Sequence, residues 1–245
     1  TFAGDDSSGA SLRILKKDLP LGLDLLSDIL INPTFPEAEI ERKKAEMIGG
    51  LISEKDAPGT VAGKAFSEII FGAHPYHRPT NGTEKSIPGI TRDDIVTYYE
   101  RFYRPNNTIM AIVGDITEQE AVDAVNRYFG KCEKREVSPI PIPNAPLLEK
   151  RVVKLIDKDL TQANIIIGHI GIERKNPDYY NLVVMNYILG GGGFSSRLMK
   201  DIRDNQGLVY GIHSNFDASL YPGSFAVGLQ TKNETANRAI EAVLK

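Results

Sequence analysis

The sequence lacks the features by which several classes of protein are recognised. Among its 245 residues there is one cysteine, Cys132, which excludes an internal disulfide framework. No apolar run approaches the roughly 20 residues of a membrane-spanning helix, and no signal peptide is visible. The 29 basic and 32 acidic residues are interspersed and leave a net charge of −3, so no basic surface for nucleic acid or anionic membrane is expected. With 41% apolar content the chain is globular and long enough for one large domain or two small ones.

Histidine is also scarce, and its spacing does not fit a zinc site. A His-x-x-Glu-His helix puts two imidazoles one turn apart, with a glutamate as general base for metal-bound water. The four histidines, His74, His77, His169 and His213, contain no such motif. Pro75 lies between the first two and favours a loop over a ligand-bearing helix.

Four consecutive glycines are the most unusual feature that is present. Each glycine loses more backbone entropy on ordering than any other residue, so Gly190, Gly191, Gly192 and Gly193 are not expected to form a regular element. They predict a backbone that lies close to another group or is free to move. They lack the GxGxxG spacing and the following lysine of a nucleotide-binding loop.

A helix, a tight turn and a strand are predicted after the glycines. Ser195 or Ser196 should cap a helix that buries Leu198, Met199 and Ile202, and Gly207 should end it. A strand should follow with four residues along one face: Leu208, Tyr210, Ile212 and Phe216. Arg203 and Tyr210 would then converge across the turn. Either Arg203 is solvated and Tyr210 belongs to the core, or the two form a functional pair.

The rest of the chain alternates between strands and helices. Strands are predicted at Leu12–Leu15, Thr108–Val113, Val152–Ile156, Ala163–Ile172 and Ser224–Leu229. Helices are predicted after Asp18, from about Glu37 to Ser53, from about Pro58 to Phe71, after capping boxes at Thr91 and Thr117, and from Asn176 towards Gly190.

A proline-rich connector divides the chain into two predicted domains. Residues 138–148 contain Pro139, Pro141, Pro143 and Pro146 and should be extended. This makes residues 1–137 the C-terminal part of a first domain, and residues 149–245 a second domain that is incomplete at its C-terminus. Residues 12–30 and 226–244 share a strand, turn and helix pattern at an offset of 214, which suggests tandem duplication. About 75 residues of the first copy would then lie upstream.

The segment from Arg203 to Tyr210, after the glycines and Ser-Ser-Arg-Leu, resembles the arginine–tyrosine motif of the pitrilysin/insulinase zinc peptidases, which include mitochondrial processing peptidase. Four other segments fit the pattern of that family in the same order: Leu26–Pro33 with Phe35–Pro36, Glu41–Arg42, His74–Tyr76 with Asn81–Thr83, and Tyr103–Asn107 leading into Ile112–Asp115. The resemblance implies an α+β fold of tandem duplicated α/β-roll domains, each with a mostly antiparallel sheet and helices packed on one face.

The resemblance also implies roles for individual residues. Two homologous halves of such a peptidase close around a peptide, one bringing zinc and the other the Arg–Tyr pair. Tyr210 would donate its hydroxyl to the substrate carbonyl near the metal, and Arg203 would bind or orient the same region. Gly190, Gly191, Gly192, Gly193 and Phe194 would lie near the substrate and flex on closure. The peptide would add a strand to a sheet edge.

In this family the third zinc ligand is a glutamate on a second helix. The segment that starts at Glu41 aligns without gaps and puts Gly50 at the ligand position. Gly49 and Gly50 each cost about 1 kcal/mol in a helix relative to alanine, and neither can coordinate zinc. Glu46 is the nearest substitute and is expected on a solvated helix face. No cofactor is therefore expected in this chain, and zinc is expected in the partner half or an upstream segment.

Three functional interpretations remain at this point. The first is a zinc-free subunit that acts on peptides or unfolded polypeptides beside a homologous zinc-bearing subunit. The second is a complete metalloendopeptidase whose His-x-x-Glu-His motif lies upstream. The third is a non-catalytic structural homologue, which would have no need of the Arg–Tyr pair. The sequence leaves the compartment open, with the bacterial periplasm or cytoplasm favoured over an organelle.

Overall fold

The computed structural model describes residues 1–245 and contains seven α-helices and five β-strands. The strands are β1 (Phe2–Ala3), β2 (Ser8–Gly9), β3 (Gln162–Ile170), β4 (Gly211–Phe216) and β5 (Ser224–Lys232). The helices are α1 (Leu19–Ile31), α2 (Glu37–Glu54), α3 (Pro58–Phe71), α4 (Arg92–Phe102), α5 (Glu118–Phe129), α6 (Tyr179–Asn186) and α7 (Ala236–Val243). The predicted α+β class with antiparallel sheets is confirmed. None of the helices is both long and apolar enough to cross a membrane.

The chain divides into two compact units, one of residues 1–50 and 81–141 and the other of residues 51–80 and 142–245. This division assigns residues 51–80 to the second unit. The domain boundary predicted from the proline-rich residues 138–148 stays a prediction.

Two capping boxes define helix starts in the first unit. The Thr91 hydroxyl accepts a hydrogen bond from the Asp94 N–H (3.1 Å), and the Asp94 carboxylate accepts one from the Thr91 N–H (2.8 Å). Thr117 and Glu120 repeat this arrangement at the start of α5. Hydrogen bonds from Thr91 lower the pKa of Asp94, because they stabilise its carboxylate form. Both predicted helix starts are confirmed.

Replacing Thr91 with alanine is expected to destabilise the protein by about 1 kcal/mol, because the Asp94 N–H loses its hydroxyl acceptor and the Asp94 carboxylate loses its hydroxyl donor. Thr97→Ala, at an exposed site inside the same helix, is the control and should be neutral or slightly stabilising, because alanine has the higher helix propensity. Because Asp94 has a lowered pKa in the folded state, its contribution is present above the unfolded carboxyl pKa and is lost as the pH falls through the folded value. Denaturant melts at neutral and acidic pH measure both effects. Equal melts for Thr91→Ala and Thr97→Ala at neutral pH would show that the box adds nothing.

A three-stranded antiparallel sheet in the order β3-β5-β4 organises the second unit. Its core face carries Ile165, Val227, Leu229 and Ile212, which pack with Leu198 and Ile202 and with Ala239 of α7. On the other face, Phe66 of α3 lies against Gly168 of β3. The helical cover of this sheet therefore extends to a second face.

Three predicted strands, Leu12–Leu15, Thr108–Val113 and Val152–Ile156, are not part of any sheet. Their apolar composition favours strands, but a strand also needs a neighbour for its backbone hydrogen bonds. Several of their apolar side chains stay largely in solvent: Ile109 and Val113 are each 97% exposed, and Leu155 is 89% exposed. The prediction of strands was wrong at these places.

The two ends of the chain do share a local pattern. A 3₁₀ turn directly precedes both α1 and α7, at Lys16–Asp18 and Asn233–Thr235. The helix starts, Leu19 and Ala236, are 217 residues apart rather than the predicted 214. Gly22 and Ala239, both buried, occupy the same helical position at this offset. The tandem duplication itself stays a prediction.

Candidate substrate-binding site

The glycine run takes part in two short helical turns, neither of which is α-helical. Residues Tyr187–Gly191 form a π-helical turn and Gly193–Ser195 a 3₁₀ turn, so the expectation that the glycines hold no regular element is wrong. A β-carbon on Gly190 would lie 2.5 Å from the Ser214 backbone nitrogen and 2.9 Å from Leu198. Gly190 is buried. It is glycine because this turn packs directly against β4.

The other three glycines have different neighbours. Positions 191 and 192 lie against Asn186 and Tyr187, and Gly193 has a φ of 65°, which strains other residues. The Ser214 hydroxyl donates a 2.6 Å hydrogen bond to the Asn186 side-chain oxygen. This contact holds the helix before the turn against β4. The sequence pattern gave no signal for it.

A second π-helical segment, Met199–Asn205, carries Arg203. Ile202 is 1% exposed and anchors it in the core, as predicted. The predicted position of the cap is confirmed, because the helix starts at Arg197 and the carbonyl of the extended Ser196 accepts the Lys200 N–H (3.0 Å). The hydroxyls do not cap it: those of Ser195 and Ser196 donate to the Gly192 and Gly193 carbonyls at 3.1 and 2.7 Å and so stabilise the glycine turn. π-Helical turns are rare and often occur at functional sites.

Gly207 ends this segment as predicted. Its φ is 62°, its N–H donates to the Arg203 carbonyl (3.0 Å), and the Leu208 N–H donates to the Ile202 carbonyl (3.1 Å). The next two residues, Leu208 and Val209, are buried. The strand β4 then begins at Gly211.

Tyr210 does not belong to the core. Its backbone N–H donates to the Gln230 carbonyl of β5 (3.1 Å), while its side chain is 78% exposed. The predicted single face of Leu208, Tyr210 and Ile212 is therefore wrong, because the chain bends at residue 210 before β4 starts. An exposed phenol on a backbone anchored to the sheet is available to a ligand.

Arg203 is half-buried, and its guanidinium lies over the Phe194 ring with 5.3 Å from Cζ to the ring centroid. Its Nη1 is 3.8 Å from the Asp204 carboxylate. No hydrogen bond or cation–π contact joins Arg203 to Tyr210. The turn presents two separate donors, a guanidinium and a phenol, seven residues apart in the chain.

The helix expected to carry a third zinc ligand is present, and Gly50 lies within it. A β-carbon at Gly50 would meet nothing within 4 Å, so crowding does not explain the glycine. Glu46 is exposed and binds Lys43 (2.6 Å) and Arg42 (3.5 Å). The hydrogen bond from Lys43, with its charge, lowers the pKa of Glu46, as expected of a carboxylate on a solvated helix face.

The His74 and His77 rings serve local structure. His74 caps the 3₁₀ turn Pro75–His77 by accepting a hydrogen bond from the Tyr76 N–H (3.2 Å). The His77 Nδ1 lies 2.8 Å from the His74 carbonyl oxygen. No group of three or more His, Cys, Asp or Glu side chains in residues 1–245 has the geometry of a metal site.

A groove of about 1160 Å³ runs along β3 in the second unit. Its walls are α3, the extended residues 148–158, β3 itself and α7. β3 is an edge strand of its sheet. Neither Arg203 nor Tyr210 lines this groove.

The family described as "Peptidase M16 inactive domain" matches residues 89–245, well over half of the chain. This chain belongs to the peptidase M16 family. The resemblance to the pitrilysin/insulinase peptidases is thereby confirmed.

Individual relatives of known sequence or structure support the assignment to the M16 family. An uncharacterized zinc protease of Bacillus subtilis, YmxG, is 30% identical over 242 residues, which are 95% of this chain and 57% of the relative. The crystal structure of a peptidase M16 inactive domain from Pseudomonas fluorescens is 30% identical, with a TM-score of 0.87 over 93% of this chain and 55% of that one. Pitrilysin, at 19% identity and a TM-score of 0.60, shares the fold over 93% of this chain and 25% of its own. The chain spans about half the length of the first two relatives.

Proposed function

We propose that this M16 chain supplies the substrate-carbonyl site of a zinc-dependent peptidase whose zinc is held by a homologous half. In this role Tyr210 donates its hydroxyl to the carbonyl of the scissile peptide bond. Arg203 binds or orients the same part of the substrate. Both stabilise the negative charge that develops on that oxygen in the tetrahedral intermediate.

The exposure of Tyr210 is the observation that carries the proposal. A tyrosine in a core sequence context, directly after buried Leu208 and Val209, is expected to pack inside, yet 78% of it is exposed. Its backbone is fixed to β5 through Gln230. A donor on a rigid backbone loses little entropy when substrate binds, which is what an oxyanion donor requires.

The surroundings of the pair suit an extended peptide. β4 begins one residue after Tyr210 and, like β3, is at an edge of the sheet. A peptide that pairs with a sheet edge is held through its main chain, which tolerates many side-chain sequences. In this proposal the exposed part of the glycine turn, Gly191 to Phe194, borders the substrate path, while buried Gly190 anchors it.

The zinc half is proposed to be a homologous chain or segment with a His-x-x-Glu-His motif. Two observations support this: position 50 is a glycine with open space around it, and Glu46 is occupied by Lys43 and Arg42. Relatives of this chain are called zinc proteases, and it matches the family's inactive domain. Zinc would supply the Lewis acid and the activated water from the other half.

The experiment is peptide cleavage by this chain reconstituted with its zinc-bearing homologue, comparing wild type with Arg203→Lys. Lysine keeps the charge but loses the planar fork, so kcat/KM should fall by roughly tenfold or more. Arg238→Lys, at an exposed position of α7, is the matched control and should leave cleavage unchanged. Equal cleavage by wild type and Arg203→Lys would remove Arg203 from the proposal. Full activity of the zinc half alone would contradict the proposal as a whole.

A further inference from the structure

The Arg203 guanidinium lies over one aromatic ring, that of Phe194. The ring belongs to the 3₁₀ turn Gly193–Ser195, directly after the glycine run. This turn is closed by Ser196, whose N–H and hydroxyl both donate to the Gly193 carbonyl (3.1 and 2.7 Å). The ring therefore has a defined position from which to hold Arg203.

The contact leaves the hydrogen-bonding groups of the guanidinium unused. The guanidinium is attracted to the ring through its positive charge, so this contact uses none of its five N–H groups as hydrogen-bond donors. The Asp204 carboxylate, 3.8 Å from Nη1, is beyond hydrogen-bonding distance.

Arg92 shows the opposite arrangement in the same chain. Its Nε and Nη2 donate to the carbonyls of Phe35 and Thr34 at 2.9 and 3.1 Å, so the hydrogen bonds of this guanidinium stabilise the fold. Arg203 is held in place without such bonds. An arginine that is positioned but has free donors is suited to an incoming oxygen.

Burial does not explain the phenylalanine at position 194. Its side chain is 74% exposed and is absent from the core cluster of this unit. An exposed phenylalanine gains little from the hydrophobic effect. Its cation–π contact with Arg203 is the interaction that accounts for an aromatic residue here.

We propose that Phe194 is a positioning residue for Arg203. Its ring keeps the guanidinium in the orientation in which the fork can bind the substrate carbonyl region. This rests on the proposed function of Arg203. This cation–π contact restricts the arginine rotamers before substrate arrives, so less entropy is lost on binding. Movement of the glycine turn would carry Phe194 with it and release Arg203.

Two measurements on Phe194→Leu test this assignment. The first, on the isolated chain, is the NMR shift of the Arg203 Nε–H group, which the Phe194 ring current displaces in wild type and which should return towards a free-arginine value in Phe194→Leu. The second is peptide cleavage by the reconstituted pair, where kcat/KM should fall by roughly 3- to 30-fold. Phe194→Tyr keeps the ring and should restore most of both signals. In an Arg203→Lys background, Phe194→Leu should cause little further loss.

Tyr180→Leu is the matched control. Tyr180 is 73% exposed and has the Arg174 guanidinium 6.0 Å from its ring, but it is separate from the glycine turn. Tyr180→Leu should affect neither the Arg203 shift nor cleavage.

An unshifted Arg203 resonance in wild type would overturn the assignment, as would full activity of Phe194→Leu alongside a strongly impaired Tyr210→Phe. If Phe194→Leu, Arg203→Lys and Tyr210→Phe all cleave normally, the proposed function fails as well, so the two failures are distinguishable.

Discussion

Replacing Tyr210 with phenylalanine is expected to lower kcat for peptide cleavage by roughly 10²–10³-fold, because one hydrogen bond to the developing oxyanion is lost. This corresponds to about 2.7–4 kcal/mol of transition-state stabilisation. The substitution keeps the ring and removes only the hydroxyl. Since the side chain is 78% exposed, stability should change by no more than about 0.5 kcal/mol. Turnover by the reconstituted pair, with thermal melts of the isolated chain, measures the two effects separately.

Tyr180→Phe is the control for the loss of an exposed tyrosine hydroxyl. Tyr180 is exposed to nearly the same extent as Tyr210 and lies on α6. It should cleave peptide like wild type. If Tyr210→Phe and Tyr180→Phe have the same turnover, Tyr210 is a surface residue with no catalytic role.

Replacing Gly190 with alanine is expected to destabilise the second unit by about 1–3 kcal/mol or more. The added methyl group would lie 2.5 Å from the Ser214 backbone nitrogen, 2.6 Å from its hydroxyl oxygen and 2.9 Å from Leu198. Two of these atoms belong to a residue in the sheet, so the glycine turn must move away from β4. Denaturant melts measure the loss of stability.

Gly211→Ala in the same unit is the matched control. A β-carbon there would meet no atom within 4 Å, and its backbone needs no positive φ. Its stability should stay within about 0.5 kcal/mol of wild type. Equal melting of the two variants would mean that the close packing of the glycine turn on β4 is not what specifies Gly190.

The helices were largely predictable from the sequence because their signals are local. The start of α3 at Pro58, the capping boxes at Thr91 and Thr117 and the stop at Gly207 each depend on residues within one or two turns of the chain. The strands were less predictable. Thr108–Val113 has the composition of a strand, but pairing depends on a distant segment that local composition does not reveal.

The site was only partly predictable, since its two key side chains depend on backbone geometry. Alternation placed Tyr210 on the same face as Leu208, but a bend before β4 turns the phenol outwards. The glycines were expected to be irregular, but they lie in a π-helical and a 3₁₀ turn. At Gly190 the close approach to Ser214 leaves no room for a side chain. The contact between Phe194 and Arg203 spans two turns and has no sequence signature.

The zinc content of this chain decides whether the metal is held here or by the homologous half. The complex is purified from its native source, its subunits are separated, each is dialysed against metal-free buffer, and zinc per chain is measured. With Gly50 at the expected ligand position and Glu46 paired with Lys43, we predict zinc in the homologous partner and none in this chain. One tightly held zinc per copy of this chain would contradict this prediction and favour a complete metallopeptidase.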